Sequence, residues 1–386
     1  MGFHTSVLKH GRHSRVVQCV QHILHCQFVA KMSADKTGKE FFKVATTYIF
    51  GAGASLHVGY PLASNMGKGL LDFMLNYPID RYRDSAQLLI EAFGQSPNIE
   101  DVISELESKV RSLNNAESPD ERSLRSLFGH ARGHLGEMLR EWFRVIRNNP
   151  APAYAKFAER IVKAGDAVIT FNYDDSLDRE LKRLGKWDIS RGYGFPFRNG
   201  EAVHEVPILK LHGSINWLVS LFGGVTSGPM FLGPNLAMGR HPVIHQSDLT
   251  HLGYTDVSGC TYSGGGAFPS LILPGRKKEF FYDTSFGYEF AQFWNSLWSQ
   301  AADALRRSDH LVLCGYSLLR VDERACDLLL REPKKNTSVT IVSGNQSDRI
   351  ANDFRGAGLQ DVEVFQNGYF EEWVQFSNRL ESDKEI

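Results

Sequence analysis

Short apolar runs rich in β-branched residues recur along the chain, separated by stretches in which apolar residues return every three or four positions. The runs are Val44 to Phe50, Asp166 to Thr170, Val206 to Leu211, His310 to Cys314 and Ser338 to Ser343. Continuous apolar runs of this length predict strands buried on both faces, as in a parallel sheet covered by helices. Between Leu62 and Val162 the period is helical. Ile99, Val102, Ile103, Leu106, Val110 and Leu113 form one stripe behind an Asn98 cap. After a polar loop over Asn114 to Arg122, a further helix runs through Leu124, Leu127, Leu135, Leu139, Trp142 and Ile146. Further helices are predicted over Ser176 to Leu184, Tyr288 to Arg307, Asp322 to Leu330 and Ser347 to Phe354. Strands alternating with helices imply an α/β fold built on a doubly wound, mainly parallel sheet. The 62–162 segment reads as a helical insertion.

Two segments fall outside this alternation. Residues 219–270 are rich in Gly, Ser and Pro without periodicity, as expected of a long functional loop. Residues 1–31 hold five of the 14 histidines, and no acidic residue precedes Asp35. Met32-Ser33-Ala34-Asp35-Lys36 has the form of an ordinary protein start, so residues 1–40 are expected to be an extension produced by an upstream start. The main domain is expected over 41–375, with a polar tail over 376–386.

Composition narrows the class. Of 386 residues, 42% are apolar, and 43 basic side chains balance 44 acidic ones. A near-neutral chain lacks the basic excess of a dedicated nucleic-acid binder, and its basic runs are short. Cys19, Cys26, Cys260, Cys314 and Cys326 are dispersed with no C-x-x-C pair. Such a set fits a reducing cytoplasm and forms neither a disulfide framework nor a zinc ribbon. No apolar stretch reaches the length of a membrane span.

Candidate chemistry gathers at strand ends. Gly51-Ala52-Gly53-Ala54-Ser55 follows the first strand, Thr170-Phe171-Asn172-Tyr173-Asp174 the second and Leu211-His212-Gly213-Ser214 the third. Gly315-Tyr316-Ser317 and Gly344-Asn345 follow the next two. In a parallel sheet all five turns share the carboxyl edge, where ligands lie. A glycine turn entering a helix suits phosphates through backbone N–H groups, with the Ser55 hydroxyl available to a phosphate or ribose oxygen. Position 56 is Leu rather than the third glycine of a dinucleotide fingerprint, which disfavours a hydride-transfer dehydrogenase. An amide at 172 and an imidazole at 212 suit cleavage of an N-glycosidic bond, through orientation and proton removal. Each motif also has a plain reading: a tight connection, a helix-capping turn, a structural histidine. Their convergence on one edge favours a binding site.

In this order, the Gly51–Ser55, Gly59-Tyr60-Pro61, Thr170–Asp174 and Leu211–Gly213 motifs resemble the NAD-binding motifs of sirtuins. The resemblance runs from Thr46 to Val364 and implies a Rossmann-like sheet. It implies that Asn172 positions the nicotinamide ribose or a water, that His212 is the catalytic base and that Asp174 braces the nicotinamide pocket. It also implies cofactor contacts from Gly51, Ala52, Gly53, Ala54, Ser55, Gly59, Pro61 and Thr170. Gly315 and Ser317 would hold phosphate and ribose, and Gly344 and Asn345 the adenosine ribose. Deacetylating sirtuins carry zinc-binding C-x-x-C pairs and an Asp-Phe-Arg after the Gly-x-Pro turn. This chain has neither, with Leu62-Ala63-Ser64 at the second place. Together with Asn98–Ile103 and Leu211–Trp217, these departures resemble the zinc-free sirtuin-like NAD+ hydrolases of bacterial anti-phage defence, and size and domain content resemble the members paired with a HerA-type hexameric ATPase. That resemblance implies a cytoplasmic, homo-oligomeric enzyme acting by NAD+ depletion and abortive infection, with NAD+ as substrate, no zinc, no membrane and no direct nucleic-acid contact. A protein deacylase and a non-catalytic NAD- or ADP-ribose-binding sensor are the alternatives. The aromatic run from Phe280 to Trp298 reads as core and oligomer contact.

Overall fold

The computed structural model describes residues 45–113, 118–187, 193, 206–220, 243–246, 254–255, 261–262, 267–275, 288–320, 322–366 and 368–382. The expected 1–40 extension, most of the 219–270 loop and the end of the tail lie outside them.

Six parallel strands form the central sheet: β1 (Thr46–Phe50), β2 (Ala167–Thr170), β3 (Ile208–Lys210), β9 (His310–Cys314), β10 (Ser338–Val342) and β11 (Val362–Val364). Their spatial order is β3-β2-β1-β9-β10-β11. Both halves start in the middle, at β1 and β9, and wind outward in opposite directions. This is the Rossmann-like, doubly wound order, and the β1/β9 junction is its topological switch point. The strands are short and apolar because helices cover both faces: Ile49, Phe50, Val168, Ile169, Leu311, Leu313, Ile341 and Val342 are all buried. On one side, Tyr48 and Phe50 meet Phe157 edge-on, and Phe50 also meets Tyr154 and Phe370 edge-on.

Between β1 and β2 the chain is helical: α1 (Ala63–Leu75), α2 (Asp80–Phe93), α3 (Ile99–Ser112), α4 (Pro119–Ile146) and the short α5 (Pro152–Lys156), which continues as a π turn over Phe157–Ile161. The Asn98 carboxamide accepts from Glu100 N–H at 2.8 Å, so the α3 cap is as expected. α4 starts earlier than the pattern indicated. Ser118 Oγ accepts from Glu121 N–H and Glu121 Oε2 from Ser118 N–H, a reciprocal capping box with Pro119 at the first helical position. The Arg140 Nε–H on α4 donates to the Ile215 carbonyl at 2.8 Å, tying the insertion to the strand that leaves the His212 turn.

That strand, β4 (Gly213–Ser220), pairs antiparallel with β5 (Val243–Gln246) and β8 (Ala267–Leu271). A two-stranded ribbon, β6 (Tyr254–Thr255) with β7 (Thr261–Tyr262), lies between them in sequence. The segment expected as a long loop therefore contains a small sheet, whose strands of two to five residues within it are too short for a periodicity test. The second half adds α6 (Ser176–Arg183) after β2, then α7 (Tyr288–Arg307), α8 (Glu323–Arg331), α9 (Ser347–Gly356) and α10 (Phe370–Ser382). Trp294 and Trp298 are buried, in keeping with a core role for that end of the aromatic run. The other aromatic side chains of the run lie outside the described ones. Among the described residues, no helix is long and apolar enough to cross a membrane.

Candidate functional site

All five turns lie at the carboxyl edge of the parallel sheet, one after each of β1, β2, β3, β9 and β10. At the switch point the Gly51 and Gly315 turns touch backbone to backbone. Gly51 N–H donates to the Cys314 carbonyl at 3.0 Å and Gly53 N–H to the Gly315 carbonyl at 2.9 Å. A Cβ on Gly315 would stand 2.2 Å from Ala54 N, and one on Gly51 would stand 2.5 Å from the Tyr316 Cα. Gly315 also has φ +63°, so both space and backbone conformation require glycine there.

This changes the reading of the first motif. The turn enters a seven-residue 3₁₀ segment, Ala52–Val58, not an α-helix. The Gly51, Gly53 and Ala54 amides all donate within the protein. The glycines let the two halves of the fold meet. The 3₁₀ segment ends at Gly59, where Asn149 Nδ2–H donates to the Val58 carbonyl. Gly59 is exposed and Pro61 half-buried. They connect to the site through the Tyr60 amide, which donates to the Ser55 carbonyl at 3.4 Å.

Ser55 is buried, and its hydroxyl is occupied. Oγ donates to Asp174 Oδ2 at 2.7 Å, accepts from Asn172 Nδ2 at 3.0 Å and lies 2.9 Å from Tyr154 Oη. Burial first, and the Asp174 charge second, push the Tyr154 phenol well above its usual range. Tyr154 thus keeps its proton and donates it to Ser55. The hydroxyl expected to meet a ligand instead forms the hub of a buried network.

That network fixes Asn172. Its amide donates to the Gly51 carbonyl at 2.9 Å as well as to Ser55, and its backbone N–H donates to Thr170 Oγ1 at 3.1 Å. Because the Gly51 oxygen can only accept, the amide nitrogen must face it. The other end of the amide, Oδ1, then stands as an acceptor with no hydrogen bond among the described residues. Asp174 Oδ1 accepts from Ser176 N–H at 3.0 Å, holding the start of α6. Asp174 thus braces Ser55 and the start of the helix.

His212 is buried at the end of β3. Its Nε2 lies 3.2 Å from Asp322 Oδ2. Phe171 meets the imidazole edge-on at 5.1 Å and stacks at 4.2 Å and 15° on Tyr316. That stack bridges the turns after β2 and β9. Beneath lies Lys210, fully buried, whose Nζ donates to the Asp174 carbonyl at 2.6 Å and Ser214 Oγ at 2.8 Å and pairs with Asp178 Oδ2 at 3.0 Å. It joins the second and third motifs from below. Burial raises the Asp178 carboxyl, against the pull of Lys210, and Tyr193 donates to the same oxygen.

Farther along the edge, Ser317 is half-buried, and its carbonyl accepts from the Arg349 guanidinium. Gly344 opens a single 3₁₀ turn over Gly344–Gln346 beneath the Tyr369 ring, and Asn345 is exposed. The fold thus brings Gly51–Ser55, Thr170, Asn172, Asp174 and Gly315 into direct contact, with His212 joined through aromatic packing. Ser317, Gly344 and Asn345 flank this group. Three contributors escaped sequence reasoning: Tyr154, Lys210 and Asp322. Lys210 carried a signal, a lone cation inside an apolar strand run. Among the described residues, no three His, Cys, Asp or Glu side chains gather as a metal-binding group.

No family model matches the chain, and no curated protein matches it in sequence. Solved structures do match, Sir2 proteins among them. Sir2Tm bound to a propionylated peptide is 15% identical at a TM-score of 0.36, covering 92% of this chain and 98% of its own. A Sir2 bound to acetylated peptide is 13% identical at 0.37, covering 92% and 98%. A Sir2 enzyme structure bearing on mechanism and regulation is 14% identical at 0.37, covering 87% and 94%. At such scores the overlay assigns no residue of the site.

Proposed function

We propose that the chain is an NAD+ hydrolase that cleaves the N-glycosidic bond to give nicotinamide and ADP-ribose. The observation that supports this most is the anchoring of Asn172. With both amide hydrogens held by Gly51 and Ser55, its carbonyl is fixed at the switch point as an acceptor for a donor such as a ribose hydroxyl or an attacking water. His212, a buried imidazole on the same edge, is suited to take the proton of that water. In the reaction the C1′–N bond breaks and its electron pair leaves with the nicotinamide nitrogen. Water oxygen bonds to C1′, and His212 accepts the released proton. Such an oxocarbenium-like transition state depends on orientation more than on a strong acid.

Sirtuin resemblance in the motifs, without C-x-x-C pairs or the Asp-Phe-Arg segment, favours hydrolysis over deacylation and supports a zinc-free site. The same motifs support a role in anti-phage defence by NAD+ depletion; the chain's length supports pairing with a HerA-type ATPase as a homo-oligomer, and its dispersed cysteines support a cytoplasmic setting. The test is chromatography of nicotinamide and ADP-ribose released by the purified chain, alone and with such an ATPase. Asn172→Ala and His212→Ala are each expected to abolish release while leaving the fold intact by circular dichroism. Undiminished release in both variants overturns the site. NAD+ binding by calorimetry without release under either condition would favour the sensor reading instead.

A further inference from the structure

We propose that Asp322 is the positioning residue of His212, holding the imidazole as its Nε2–H tautomer so that Nδ1 is the atom that accepts a proton. Asp322 is the cap of α8. Its Oδ1 accepts from Ala325 N–H at 3.4 Å, and its Oδ2 faces His212 Nε2 at 3.2 Å. Both side chains are nearly buried, with 8% and 7% exposed. An α-helix N-terminus favours the charged carboxylate, and a charged carboxylate only accepts. The ring nitrogen opposite must therefore carry the hydrogen, which leaves the lone pair on Nδ1. Phe171 edge-on at 5.1 Å and Tyr173 tilted at 6.5 Å pack the ring and hold this orientation. The helix cap fixes the carboxylate, the carboxylate fixes the tautomer, and the pair spans the two halves of the fold. His212 follows β3, and Asp322 follows β9.

The kinetic consequence rests on the NAD+-cleaving reading; the tautomer does not. Asp322→Asn separates the two jobs of the side chain, because asparagine caps helices as well as aspartate. It should preserve α8 yet lose the obligatory acceptor. The first measurement is 15N chemical shifts of His212 in the full chain, taken as a pH series up to the plateau at which the shifts stop changing, assigned by the peak lost in His212→Gln. Wild type should show a protonated Nε2 and an unprotonated Nδ1, and Asp322→Asn should move both shifts toward a mixture of tautomers. The second is NAD+ turnover: kcat should fall by roughly 10²–10⁴-fold with little change in KM, as for other base-orienting carboxylates. A protonated Nδ1 in wild type, or unchanged shifts in Asp322→Asn, overturns the assignment. A merely structural ion pair predicts unchanged kcat, which would overturn it too. The shifts are read without substrate, so failure of this assignment and failure of the NAD+-cleaving reading are separate results.

Discussion

Gly315→Ala tests whether the two halves of the fold meet through glycine. Two costs apply. Alanine in the left-handed region is disfavoured by about 1–2 kcal/mol, and Gly315 has φ +63°. Its Cβ would also stand 2.2 Å from Ala54 N and 2.5 Å from Gly53 C, both backbone atoms that cannot rotate away. Overpacking of this kind adds about 1–3 kcal/mol, for a total near 2–5 kcal/mol. Gly185→Ala is the matched control, with φ +71° and nothing within 4 Å of its Cβ, so only the first cost applies. The gain from stiffening the unfolded chain is common to both and cancels in the comparison. The unit from Ala45 onward, roughly 340 residues, has an unfolding entropy near 0.7 kcal/mol/K. Thermal unfolding should then drop by roughly 3–7 °C for Gly315→Ala and about 1–3 °C for Gly185→Ala. Equal drops would refute the close-contact account of the switch point.

Two further outcomes follow from buried charge. Lys210→Met strands Asp178 in the core and should cost about 3–5 kcal/mol in urea denaturation, part of it restored by adding Asp178→Asn; no loss in the single variant would show that the pair does not support the fold. His57, His134 and His310 each have a pKa lowered from 6.5, with burial the largest cause. Below 6.5 the unfolded chain binds protons that the fold resists, so their contribution is present above that pH and lost as pH falls through the lowered values. The melting temperature should decline from about pH 7.5 to 5.5, more steeply in wild type than in a His57→Gln/His310→Gln variant; identical slopes would count against it.

The parallel sheet was legible because strands covered on both faces leave uninterrupted apolar runs, and β9 and α7 begin and end where the pattern placed them. Placing the five turns on one edge followed from that alone. What the pattern could not carry was partnership across long separations. Ser55 looked like a ligand contact because nothing local indicates that Tyr154, Asn172 and Asp174 converge on its hydroxyl. Asp322 was read only as the first residue of a helix; it caps that helix, and its second oxygen turns to a histidine from the other half of the fold. The 3₁₀ segment after Gly51 was missed for a different reason, since seven residues are too few to separate a 3₁₀ from an α period. The start of α4 was in plain view as Ser118-Pro119-Asp120-Glu121, hidden only by the polarity of the stretch.

The contact between the Gly51 and Gly315 turns also sets a mechanical limit. Backbone already rests on backbone there, with no side chain between to compress, so the two halves cannot draw closer around a ligand. The floor of the site is rigid before anything arrives. Adjustment to a bound molecule must come from elements above that floor, and Arg140 of α4 links one of them, the helical insertion, to the strand that leaves His212. In kinetic terms, the ligand meets a finished anvil, and only the hammer can move.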